Sequence, residues 1–268
     1  MAFSGASVFN ANLADWNTAR VANLLGAFQS ASAFNLDISS WNVASVSNMA
    51  TAFYAAVVFG ANIASWNTAS VVDMSSTFGY AYAFNVNIVS WNTASVVDMQ
   101  STFLAASSFN QPIGGWNTAS ATTMDEAFYK ATAFNQNSAS WNVARVATLS
   151  AMFYNASAFN QNIATWNVRS VITLANAFDL TTALSDCNKR AISSAWGSTL
   201  QTAYPTWSSL PDCTRCESAR LGAHCVGFGK CVCNAPGSGM LERTRCGSRV
   251  PVGSSSSIER LLPVHAGV

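Results

Sequence analysis

The sequence predicts a repeat solenoid of the α/β class, in which each turn of chain supplies a short parallel strand and a short helix, followed by a small cysteine-rich module. Three observations predict it. Trp recurs at 16, 41, 66, 91, 116, 141 and 166, a spacing of 25 residues with no insertion or deletion. Apolar residues recur in fixed columns around each Trp. All 7 cysteines follow the last repeat. Self-similarity at a fixed period of about 20–50 residues marks a stack of units, none of which buries its apolar face alone.

The columns define the core. Phe precedes each Trp by seven positions, from Phe9 through Phe34, Phe59, Phe84, Phe109 and Phe134 to Phe159. Ile or Leu precedes it by three, except at Ser138. Val follows by five, replaced once by Ala121, and Met or Leu follows by eight. A second Phe follows by twelve, at Phe28, Phe53, Phe78, Phe103, Phe128, Phe153 and Phe178, and Phe3 already stands in that column. All are expected to point inward.

Within each repeat, TASVVDM is β-branched and partly alternating, which predicts the strand, pairing in parallel with its neighbours about 4.8 Å away. The step from Met to the next Phe, as in MQSTFLAASSF from Met99, spaces apolar residues by four and seven and predicts one or two turns of helix. Asp125 and Glu126 fall at the start of one such helix, where carboxylates suit the positive end of the dipole. An Asn follows each of the seven repeat Trp residues, and another precedes it by six except at Gly60. Both are expected to be buried amides that satisfy backbone groups at tight turns and bridge to the next repeat.

Composition divides the chain into 1–183, the repeats; 184–246, the cysteine-rich module; and 247–268, a disordered tail containing GSSSS. The repeats hold four Lys or Arg against seven Asp or Glu, the remainder nine against five. Neither part has the basic stripe that several phosphate contacts require, which excludes nucleic acid as a partner. No apolar run reaches the roughly 18 residues of a membrane span. The chain opens in mid-repeat without a signal peptide, so the expectation is an N-terminally incomplete sequence.

SFNQPIGGWNTAS followed by an M-x-x-x-F step resembles the BspA-type leucine-rich repeats of bacterial and protist surface proteins, and the FN, WN, V and M elements recur in order over roughly residues 2–183. The resemblance implies a leucine-rich-repeat-like solenoid and a role in adhesion or surface display at the cell surface or outside the cell, with no catalysis.

Cys213, Cys216, Cys225, Cys231, Cys233 and Cys246 lie close together among Gly and Pro, which predicts a disulfide-stapled module and an oxidising, extracellular compartment. Cys187, far upstream, is then an odd thiol. Zinc on Cys213, Cys216, Cys231 and Cys233 is the competing arrangement, disfavoured because the second pair is separated by a single residue. The one sequon, Asn155-Ala156-Ser157, sits in a column of varied size and charge and is expected to be exposed to glycosylation.

The repeats contain no His and no Cys, so no catalytic constellation, cofactor or metal site is expected. Asp73 and Asp98 share a column one turn apart, but Asn and Thr occupy it elsewhere, as a polar turn position does. Recognition of an extracellular protein or host cell-surface ligand is expected at columns that vary, four and six residues after Trp: Ser45, Ser70, Ser95 and Ser120 beside Val72, Val97 and Thr122. The alternative is an ice-binding solenoid, with Thr68, Thr93 and Thr118 in outward rows alongside the serines.

Overall fold

In the computed structural model, Met1–Asp212 forms one compact unit and Cys213–Val268 a second. The structure describes residues 2–211, 213, 224–226 and 230–232. In the first unit, helices α1 (Asp186–Trp196) and α2 (Ser198–Gln201) follow the repeats, with 3-10 turns at Ile113–Gly115 and Pro205–Ser209. The unit thus runs past the expected boundary at 183, because α1 and α2 pack against the last repeat. In the second unit, β1 (His224–Val226) and β2 (Lys230–Val232) pair antiparallel with Cys225 opposite Cys231. Cys187 and Cys213 are joined by a disulfide. Cys187 is therefore no odd thiol, and Cys213 is taken from the set considered for zinc. Cys216, Cys233 and Cys246 lie outside the described residues, as does the 247–268 tail.

Each 25-residue repeat makes one coil, and neither the expected helix nor a strand longer than one residue occurs in the described coils. Parallel pairing is confined to the single column Asn23, Asn48, Asp73, Asp98, Thr123, Thr148 and Thr173. That column lies inside the segment expected to form the strand. Where the helix was expected, the chain runs through overlapping β-turns. Met74, Ser76, Phe78 and Tyr80 donate their N–H groups to the carbonyls of Asp98, Gln100, Thr102 and Leu104 in the next coil, at 2.6–3.0 Å. The alternate N–H groups of Thr77, Gly79 and Ala81 close turns onto residues three back.

This path needs left-handed backbone twice per coil. Thr51, Ser76, Ser101, Glu126 and Ala151 have φ of 51–55°, and Ala55, Tyr80, Ala105, Lys130 and Asn155 have φ of 53–57°. Such φ is disfavoured for residues with a Cβ. Hydrogen bonds repeated coil after coil hold it. Glu126 therefore begins no helix; it sits at one of these left-handed positions.

The inward columns form the core as the sequence indicates. Phe53, Phe59, Phe78, Phe84, Phe103 and Phe109 are completely buried. Within a coil the two Phe rings stack closely, 3.8 Å for Phe78 on Phe84, and Phe78 continues onto Phe103 at 5.7 Å. The indoles stack in parallel, offset planes, Trp66 on Trp91 at 6.3 Å and Trp91 on Trp116 at 6.5 Å. Each indole also ties two coils together: Trp91 Nε1 donates to the Ile63 carbonyl and Trp116 Nε1 to that of Ile88. This donor explains why Trp and not Phe fills the column, since a buried N–H needs an acceptor. Trp16, in the first coil, is 50% exposed, against 3–6% for the other six.

Ser138 interrupts the apolar column three residues before Trp. It replaces Ile or Leu, is buried, and its Oγ has no hydrogen-bond partner. Ser138→Ile should restore the apolar column and remove the orphan hydroxyl while leaving intact the carbonyl that accepts from Trp166 Nε1. A stabilisation of about 1–2 kcal/mol is expected in urea denaturation at unchanged m-value.

The two Asn columns divide the work differently from expectation. The Asn after Trp is exposed and local: Asn92 Oδ1 accepts from the Ala94 N–H, and Asn117 Oδ1 from that of Ala119. The Asn six before Trp bridges coils, with Asn85, Asn110 and Asn135 Oδ1 accepting from the N–H of Asn110, Asn135 and Asn160. Gln111, Gln136 and Gln161 Nε2 donate to the same asparagines.

Helix α1 closes the ladder. Its N-cap Ser185 donates its backbone N–H to Asn160 Oδ1, and Asn188 Nδ2 takes the place of the Gln amide on the same oxygen. Trp196 lies on Trp166 at 6.0 Å and 15°. Tyr204 Oη accepts from the Phe178 N–H and donates to Asp179. Burial pushes the Tyr204 phenol well above its ordinary range.

Candidate binding surface

The residues expected to bind a partner are brought together by the coil-to-coil register. In the column six after Trp, Val72, Val97 and Thr122 donate their N–H groups to the carbonyls of Ser47, Val72 and Val97, respectively. Their side chains face outward; Val72 is 43% and Val97 37% exposed, and Thr122 is half-buried. The neighbouring serines are differently employed. Ser45, Ser70, Ser95 and Ser120 donate Oγ–H to the carbonyls of Ala19, Ala44, Ala69 and Ala94 in the preceding coil. Ser45 and Ser70 are exposed, Ser95 and Ser120 half-buried. The strip therefore presents Val side chains between serines whose protons are already engaged.

The Thr column two after Trp faces inward, not outward. Thr68, Thr93 and Thr118 are 1–2% exposed, and their Oγ1 atoms donate to the carbonyls of Asn92, Asn117 and Asn142. Val43, Val143 and Val168 occupy the same column, also buried. Thr and Val share a shape, so a column that alternates between them reads as an interior site with one optional hydroxyl. Outward Thr rows for ordered water are not formed.

The Asp column is structural. Asp73 Oδ1 accepts from the Ser75 N–H and Asp98 Oδ1 from that of Gln100, as Asn23 and Asn48 do for Leu25 and Ala50. Asp125 accepts from the N–H of Ser150 and from Thr148 Oγ1. Burial, with the like charges of Asp73 and Asp125 alongside, raises the pKa of Asp98. The folded state therefore binds this proton at higher pH than the unfolded chain, and stability falls as pH rises from the ordinary carboxylate value of 3.8 through the raised one. Asp98→Asn keeps the Gln100 bond and removes the charge. It should stabilise by less than about 1 kcal/mol at pH 7, solvent screening keeping the effect small. The advantage should shrink as pH falls through the raised pKa and vanish below the ordinary carboxylate value of 3.8 when urea midpoints are compared, because the wild-type carboxyl is then protonated in both states.

A second outward face escaped the sequence reading. Tyr54, Tyr80, Tyr82, Tyr129 and Tyr154 lie on the outer turns thirteen to sixteen residues after Trp. Tyr54 meets Tyr80 edge-on at 5.3 Å, Tyr80 meets Tyr82 at 6.3 Å, and Tyr129 stacks on Tyr154 at 4.8 Å. Burial, with Tyr80 and Tyr82 nearby, raises the Tyr54 phenol. Gly79 makes the first cluster possible, since a Cβ there would meet the Tyr54 ring at 2.8 Å. Lys130 Nζ lies 5.2 Å from the Tyr129 ring centroid. Asn155 borders this face, half-buried. The available signal was that these columns vary between repeats while the inward ones do not.

Among the described residues, no group of three or more His, Cys, Asp or Glu could hold a metal ion, and no helix is long and apolar enough to cross a membrane. The family model described as Mycoplasma protein of unknown function, DUF285, matches residues 1–90 and 73–191. No curated protein and no solved structure matches the chain. The two matched stretches together span the repeats and the beginning of α1, well over half of the 268 residues, and the chain belongs to the DUF285 family.

Proposed function

We propose that the coils form a leucine-rich-repeat-like solenoid of the BspA type, and that the chain is a non-catalytic adhesion or binding protein acting at the cell surface or outside the cell, with a protein as its partner. The observation that carries this reading is the division of each coil into near-constant inward columns and variable outward ones. Val72 and Val97 stand exposed on a fixed backbone lattice, and Tyr-bearing turns occupy a second outward face. Rigid surfaces that offer Tyr, Ser and small apolar groups suit protein recognition, because little side-chain entropy is lost on contact. The Cys187–Cys213 disulfide accords with an oxidising compartment. The sparse charge argues for a partner held by shape and burial and against a polyanion.

The test is a binding screen of the full chain against extracellular proteins, glycans and heparin-like polymers. Val72→Asp together with Val97→Asp is the informative variant, since both side chains are exposed and neither contributes a side-chain hydrogen bond to the stack. Protein binding abolished by the pair supports the strip as the recognition surface. Protein binding that survives the pair but is lost in Tyr80→Ser with Tyr82→Ser moves recognition to the Tyr face. Tight, salt-sensitive binding to heparin-like polymers contradicts the reading.

A further inference from the structure

Tyr129 and Tyr154 stand thirteen residues after Trp116 and Trp141, in the one column where two consecutive coils both carry Tyr; Leu104 and Asp179 hold that place in the coils on either side. The backbone fixes their register. Lys130 donates its N–H to the Tyr154 carbonyl at 2.7 Å, so the two outer turns cannot slide past each other. The rings lie 4.8 Å apart and 8° from parallel. Both residues are half-buried, and their phenol oxygens have no hydrogen-bond partner among the described residues and are not closed off from solvent. Tyr54 and Tyr80 differ, since they occupy different columns and meet edge-on at 71°. The thioethers of Met49, Met74, Met99, Met124 and Met152 are buried, which shields them from an oxidant that reaches the tyrosines.

We propose that Tyr129 and Tyr154 form an oxidative cross-linking site, at which a peroxidase with hydrogen peroxide joins two adjacent coils through a dityrosine bond. The peroxidase removes one electron and one proton from each phenol and reduces one hydrogen peroxide to two waters. The two phenoxyl radicals then couple. A Cε of Tyr129 bonds to a Cε of Tyr154, each of these carbons releases its hydrogen as a proton, and a proton returns to each phenolate oxygen, so that both rings regain aromaticity. Parallel rings bring the unpaired spin of both faces together before the bond forms; an edge-on pair does not. Lys130 Nζ, 5.2 Å from the Tyr129 ring centroid, opposes positive charge on that ring and so favours loss of the phenol proton along with the electron. The product is a covalent staple between coils that packing and hydrogen bonds otherwise hold.

The experiment treats the full folded chain with a plant-type peroxidase and limiting hydrogen peroxide, isolates the monomer and maps its tryptic peptides by mass spectrometry. Lys and Arg within residues 1–183 occur only at Arg20, Lys130, Arg145 and Arg169, so Tyr129 and Tyr154 fall in separate peptides, 21–130 and 146–169, and Tyr154 is the sole Tyr of the second. A joined peptide two hydrogens lighter than the pair, with dityrosine fluorescence, is expected. Tyr129→Phe and Tyr154→Phe keep a ring in the stack and lose no hydrogen bond, and each should abolish the joined peptide. Tyr80→Phe should leave its yield unchanged. Absence of the joined peptide from the oxidised monomer, its persistence in Tyr129→Phe, an equal loss in Tyr80→Phe, or cross-links between chains alone would overturn the proposal. The reading of the outward faces as a protein-binding surface is independent of every one of these outcomes.

Discussion

Trp91→Ala is expected to cost about 3–5 kcal/mol in equilibrium unfolding, the range for large-to-small changes in a packed core. Trp91 is 3% exposed, stacks on Trp66 and Trp116, tilts against Phe78 at 6.0 Å and donates to the Ile63 carbonyl. Truncation removes ring contacts to three residues and takes one of two donors from that carbonyl, leaving it the Trp66 N–H. Thr93, two residues on, separates packing from polarity. Thr93→Ala should cost about 1 kcal/mol or more, because it opens a small void and strips a buried hydrogen bond to Asn117. Thr93→Val, which reproduces what coils with Val43 and Val143 already carry, should cost less. Near-equal penalties for Trp91→Ala and Thr93→Ala would mean that the indole column is not what joins the coils.

The second large effect is expected at Gly114. In most coils the residue four before Trp is Asn or Asp, whose Oδ1 accepts the N–H two positions on, as Asn137 does for Ala139. Pro112 stands there in the fifth coil, has no such oxygen, and the chain tightens into the 3-10 turn Ile113–Gly115. That turn brings Gly114 against the next coil, where an added Cβ would lie 2.1 Å from the Asn137 carbonyl oxygen. Gly114→Ala should therefore destabilise by about 3 kcal/mol, since the obstacle is backbone and cannot rotate away. The other coils carry Ala, Ser or Val at the same position, so the clash belongs to the turn and not to the column. Pro112→Asn in the Gly114→Ala background should recover most of the loss, and a double-mutant cycle measures the coupling. Additive penalties would contradict this account.

What the sequence revealed and what it hid follow one physical division. Columns facing the core are constrained by volume, so Phe28 to Phe178, Met49 to Met124 and the Trp series could be placed inside from periodicity alone. Backbone conformation was not legible. Met99, Phe103 and Ala106 have the spacing of a helical face, and overlapping β-turns place them inward equally well. The usual marker of left-handed turns is Gly or Asn, whereas here Ser101, Ala105 and Lys130 adopt that conformation under hydrogen bonds from neighbouring coils, which a local reading cannot see. The Thr column, expected on the outside, is an interior one, and the Val43, Val143 and Val168 that share it are the sign of that. Trp196 could not be foreseen as the closing indole, since a helix sets its position. The candidate strip was legible as variable columns, but the serine bonds to Ala44, Ala69 and Ala94 depend on register between coils and were not.

The segment after each Met is held by bonds to the next coil and not by helical bonds within itself. A trans-hydrogen-bond NMR correlation measures this directly. The amide nitrogen of Phe78 should couple to the carbonyl carbon of Thr102, twenty-four residues ahead, because its N–H lies on that oxygen with an N···O distance of 2.9 Å. Coupling of Phe78 to the carbonyl of Met74, the i to i−4 bond of an α-helix, would contradict the account.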